Sequence, residues 1–118
     1  MKKFLKGFEY AWQGLAYTFR TQVNFRFQIG CAVLVSGLSF YLDISPSEWM
    51  WIVAVICLVL MAELANTAIE TLVDLVSPTQ NSKAGIFKDV SAGLVLVASV
   101  FALLAGCIIL LPKLLDAA

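Results

Sequence analysis

Residues 49–74 read WMWIVAVICLVLMAELANTAIETLVD. An unbroken apolar run over 49–62 passes directly into a segment carrying Glu63, Asn66, Glu70 and Asp74. The last three follow Glu63 by three, seven and eleven residues. At about 100° per residue on a helix, the four side chains fall within an arc of roughly 80°. A membrane-spanning helix needs about 20 residues, and the run reaches that length only by carrying Glu63 and Asn66 into the membrane or its interface. Ionisable groups there are expensive, and a functional role is the first hypothesis for them.

Working outward, two further apolar runs cover 27–42 and 90–111. Of the 118 residues, 61% are hydrophobic, and the mean hydropathy is +0.90. A soluble domain sits nearer 45–50% apolar, so the composition describes one small all-α membrane domain. Eight basic residues balance eight acidic ones, which gives no reason to expect a nucleic-acid partner. The three cysteines lie in separate apolar runs and read as packing residues, without the spacing of a disulfide framework or zinc site. With no histidine, His-based triads and His-ligated metals are excluded.

The first 22 residues differ. Phe4, Leu5, Phe8, Ala11, Trp12, Leu15 and Phe19 share one helical face, opposite Lys2, Lys6, Glu9, Gln13 and Arg20. A basic face backed by Phe and Trp suits a helix lying in the membrane interface, not a cleavable signal peptide. A packing helix of a soluble bundle is the alternative. The expected division is an interfacial helix over 1–22, spans over 27–44, 48–76 and 89–112, and a loop over 77–88.

The connections set the orientation. The 43–48 turn, DISPSE, carries no Lys or Arg, whereas 77–88 carries Lys83 and Lys88. Seven of the eight basic residues lie on the side of the N-terminus and the 77–88 loop, leaving Lys113 opposite. The positive-inside rule predicts a cytoplasmic N-terminus and 77–88 loop, with an external C-terminus. The carboxylate stripe is then on the side where ATP is.

Three chemistries fit the stripe. Hard cations such as Mg²⁺ take carboxylate oxygens together with substrate phosphates, a poorly solvated carboxylate can accept a proton, and a nearby Lys can neutralise a transferring phosphoryl group. Together these suggest phosphoryl transfer to a lipid hydroxyl. A proton- or ion-conducting subunit built on an intramembrane Glu fits as well, and so does a structural role with the carboxylates paired to Arg20, Arg26 or Lys88. The soluble phosphate-binding signatures GxxxxGK[ST] and GxGxxG are missing.

The segment ELANTAIETLVD at 63–74 resembles the signature of the small prokaryotic diacylglycerol kinases, a family that includes undecaprenol kinases. The likeness extends to YAWQGL at 10–15, NFR at 24–26 and KAGIFKD at 83–89. It implies an inner-membrane homotrimer of three-span subunits, with cytoplasmic active sites between subunits. It also implies transfer of the γ-phosphoryl of Mg-ATP to diacylglycerol, or in the second reading to undecaprenol.

By this resemblance Glu63 is the general base, and Glu70 binds Mg²⁺ and, through it, the nucleotide. Asn66 helps hold the triphosphate, and Lys88 and Asp89 contact ATP, as do Tyr10, Thr79, Gln80 and Asn81. Lys3, Trp12, Arg26 and Tyr41 fall where lipid contacts are expected. The family commonly has Glu where this chain has Gln22, so the second metal ligand loses its charge. Gln28 stands where undecaprenol kinases tend to have His, and Ile86 where a basic residue is frequent; neither is expected to touch the chemistry.

Overall fold

The computed structural model describes all of residues 1–118 as four helices: α1 (Lys2–Thr21), α2 (Val23–Tyr41), α3 (Pro46–Val76) and α4 (Ser82–Ala117). The last three are long and apolar enough to cross a membrane. The protein is an all-helical, multi-pass membrane protein.

Each break has a local cause. Gln22 leaves the helical region (φ −112°, ψ 108°) and turns α1 into α2. Arg26 seals that turn: its Nη1 donates to the carbonyls of Phe19, at 2.6 Å, and Arg20, at 3.0 Å. These are end carbonyls that α1 itself cannot satisfy. At the other face Asp43 takes a positive φ of 53°, and Ser45 starts α3 with a reciprocal capping box. The Ser45 Oγ accepts from the Glu48 amide at 3.2 Å, while the Ser45 amide donates to Glu48 Oε1 at 2.9 Å. Pro46 occupies the first turn, where its missing N–H costs nothing.

The expected 77–88 loop is shorter than the sequence suggested. Only residues 77–81 are non-helical, because Asn81 Oδ1 accepts from the Ala84 amide at 2.8 Å and starts α4 at Ser82. At its far end α4 runs through Pro112 to Ala117, beyond the expected limit of 112. Its 36 residues give a rod of about 54 Å, and the molecule measures 54 × 43 × 21 Å. Three helices side by side are narrower than 43 Å; α1, reaching away from them, makes up the width.

The antiparallel α3–α4 pair is the most extensive packing in the chain, and α2 lies against α3. The two ends of the bundle are unlike. At the end holding the α2–α3 turn, Ile44, Ile52 and Leu110 form an apolar cluster, and Lys113 Nζ reaches Glu48 Oε1 at 3.5 Å. Towards the opposite end the buried residues include the polar Glu63, Asn66, Thr67 and Ser91, with Thr18 and Phe25 at the α1–α2 junction. Most large apolar side chains on α2–α4 face outward, as expected where lipid or further protein replaces water as the surroundings.

Candidate active site

The carboxylate stripe of α3 is a ladder whose rungs meet different partners. Glu63, the innermost, is 1% exposed, and its Oε2 accepts from Gln28 Nε2 on α2 at 3.3 Å. Gln28 is five residues into α2, so this contact lies about 8 Å along the helix from its N-terminal start. One turn further along α3, the buried Asn66 accepts at Oδ1 from Ser91 Oγ on α4 at 2.6 Å. Glu70 is half-buried, and its charge is felt at Lys88. Asp74, at the top, pairs with Lys88 Nζ at 2.6 Å. From Glu63 to Asp74 the ladder rises roughly 16 Å.

Above it, the short α3–α4 connection encloses a cleft of about 480 Å³. Thr79, Gln80, Asn81 and Lys88, four residues expected at the nucleotide, line it together with Asp74 and Gly85. The connection holds itself in shape: Asn81 Nδ2 donates to Ser77 Oγ at 2.6 Å, and Ser77 Oγ donates to the Thr79 carbonyl at 3.0 Å.

Other expected residues stand apart. Asp89 is exposed and does not line the cleft, and neither does Tyr10, which is exposed on α1. Lys3 and Trp12 are exposed on the same helix. Arg26 is engaged in sealing the end of α1. Tyr41 lies at the opposite end of α2, about 20 Å along the axis from Gln28. Gln22 is half-buried at the α1–α2 junction, where its Nε2 meets only Thr21 Oγ1, at 3.3 Å.

Two residues had escaped notice as site components. Gln28, expected not to touch the chemistry, is the side chain in contact with Glu63. Ser91 gave no signal beyond being a small polar residue in an apolar run, yet it is 1% exposed and orients Asn66.

The donor set suits a hard cation. Glu70 offers carboxylate oxygens one turn below Asp74, near enough for its charge to act on the cleft residue Lys88, and no three metal-binding side chains gather within one chain. Mg²⁺ is usually bound through one or two carboxylates plus substrate phosphates, a mode these residues fit.

The chain is similar to known proteins along most of its length. A family model described as prokaryotic diacylglycerol kinase matches residues 9–110. The chain is 40% identical over 116 residues to the undecaprenol kinase of Bacillus subtilis, covering 97% of this chain and 93% of that protein. It is also 40% identical over 113 residues to the diacylglycerol kinase of Synechocystis, covering 95% of this chain but 65% of that protein. With the diacylglycerol kinase of Escherichia coli K12 the identity is 30% over 109 residues, 92% of this chain and 88% of that protein.

Proposed function

Because the chain belongs to the prokaryotic diacylglycerol kinase family, we propose that its ladder and cleft transfer the γ-phosphoryl group of ATP to the hydroxyl of a membrane lipid. The observation that carries this is the enclosed Glu63 carboxylate, joined along one helical face to a polar cleft containing Lys88. A carboxylate that no cation pairs with, at the depth of a lipid headgroup, is suited to take a hydroxyl proton.

In this reading the lipid oxygen forms a bond to the γ-phosphorus as the bond from that phosphorus to the bridging oxygen breaks. The hydroxyl proton passes to Glu63, and ADP leaves with the bonding electrons. Asn66 presents its amide Nδ2 to phosphate oxygens. Lys88, released from Asp74, balances the charge spread over the transferring group. Glu70, with Gln22 as a neutral second ligand, would hold Mg²⁺, which supplies charge neutralisation on the phosphates when bound.

Diacylglycerol is the first acceptor reading, with phosphatidic acid as product. Undecaprenol is the second, favoured by the near full-length likeness to the Bacillus subtilis undecaprenol kinase. The outward apolar surface of α2–α4 supports assembly into a homotrimer with sites shared between subunits. Purified protein given γ-labelled ATP, Mg²⁺ and each lipid separately tests the proposal. Label in phosphatidic acid or undecaprenyl phosphate is expected, and label in neither lipid overturns it.

A further inference from the structure

Gln28 is bonded at one end and bare at the other. Its Nε2 donates to Glu63 Oε2 at 3.3 Å, and no other group donates to that carboxylate. Neither ion pair of the chain involves Glu63. Gln28 Oε1 is the one enclosed side-chain nitrogen or oxygen without a hydrogen-bond partner. Glu63 Oε1 accepts no hydrogen bond within the chain. The carboxylate is thus held at one oxygen and unpaired at the other.

We propose that Gln28 is the positioning residue of Glu63, serving the carboxylate as a donor and the carboxylic acid as an acceptor. The inference rests on the reading of Glu63 as the base. An ionised carboxylate only accepts, so the amide must turn its NH₂ towards it, as in the structure. Held at Oε2, Glu63 keeps Oε1 free for the incoming hydroxyl proton. Once protonated, Glu63 has an O–H to place, and a buried donor without an acceptor is costly. The unpartnered Gln28 Oε1 supplies that acceptor after half-turns of both terminal groups about soft sp³–sp² torsions, the acid bringing its Oε1–H round to Gln28 and the amide presenting its oxygen. One side chain therefore satisfies both states of the base. This accounts for an otherwise unfavourable enclosed oxygen, which stands unpaired only while Glu63 is ionised.

The discriminating substitutions are Gln28→Met, which keeps length and removes both hydrogen-bonding ends, and Gln28→His, whose neutral ring keeps one donor and one acceptor. Kinetics are measured with ATP and the preferred lipid, in the wild-type and Glu63→Gln backgrounds, with helix content and trimer size checked for each protein. In the wild-type background Gln28→Met is expected to lower kcat roughly 10- to 100-fold, as for loss of a hydrogen bond to a charged group. KM for ATP should stay within about twofold, and Gln28→His should retain most of the rate. In the Glu63→Gln background, already slow, Gln28→Met should cost nothing further. An unchanged kcat in Gln28→Met, or an equal loss in both backgrounds, overturns the proposal. If Gln28→Met does not fold, the Gln28→His rate decides: loss as deep as that of Glu63→Gln overturns it. A Glu63→Gln protein that is itself fully active removes the base assignment instead, a result separable from failure at Gln28.

Discussion

The Ser91 hydroxyl stands 2.6 Å from Asn66 Oδ1 and 2.9 Å from the Lys88 carbonyl, two acceptors for one O–H proton, and the Asn66 contact is the shorter. It is short for N–H···O and ordinary for O–H···O, so the hydroxyl donates and the carbonyl end accepts. The Asn66 Nδ2 is left as a donor with no partner of its own, the polarity a phosphate oxygen requires. Ser91→Ala frees the amide to turn over. We expect KM for ATP to rise roughly fivefold, the equivalent of one ordinary hydrogen bond, with the lipid KM unchanged. Titration of ATP at saturating lipid measures this.

Glu63→Gln keeps the shape and the Gln28 contact while removing the proton acceptor. General-base catalysis is typically worth about 10²–10⁴-fold, and kcat should fall by that factor with ATP affinity retained. Comparison of turnover with direct nucleotide binding separates the two effects.

Gln22 gives a third outcome. If it faces Glu70 in the assembled protein, Gln22→Glu adds an anionic oxygen and lowers the Mg²⁺ concentration for half-maximal activity, whereas Gln22→Ala raises it. Maximal turnover need not rise, because tighter ground-state binding does not by itself stabilise a transition state. A Mg²⁺ titration of the three proteins with one flat midpoint would exclude Gln22 from the site.

Asn81 both caps α4 and ties down the floor of the cleft through Ser77. Asn81→Ala should destabilise the protein by about 1 kcal/mol, the usual worth of an N-cap, and weaken ATP binding. Asn81→Ser, which restores a cap without the long amide, should recover stability more fully than affinity. Thermal unfolding in detergent, followed by ATP titration, checks both.

Reporters complete the set. A fusion after Ala118 should lie outside the cytoplasm and one in the 77–81 connection inside it, from the seven-to-one distribution of basic residues. A cytoplasmic C-terminus would put the cleft and ATP on opposite sides.

The three spans and the stripe were legible because apolar runs and a 3.6-residue period are properties of one segment at a time. The start of α4 was not: Ser82, Lys83 and Gly85 look like loop, and what makes them helical is the Asn81 side chain closing on Ala84. The Gln28–Glu63 contact joins residues 35 apart on different helices, and no periodicity within either reports it. Asn66–Ser91, 25 apart, was hidden in the same way. Motif resemblance supplied the roles of the stripe, but motifs name the residues on one helix and leave their facing partners unnamed.

The lengths of the helices also make this enzyme a gauge of bilayer thickness. The 19 residues of α2 span about 28 Å, hardly the depth of a hydrocarbon layer near 30 Å. The longer α3 and α4 have turns to spare. Only α2 is without slack, with the amphipathic α1 fastened to one end and the 42–45 turn to the other. Hydrophobic mismatch therefore falls first where α2 meets the membrane, and α2 carries Gln28, whose side chain meets Glu63. A thicker bilayer draws that carboxylate deeper beneath the headgroups, and a thinner one lifts it towards water. In the proposed mechanism, the acyl-chain length of the host lipid then becomes a coordinate of turnover, acting through a helix that has no residues to give.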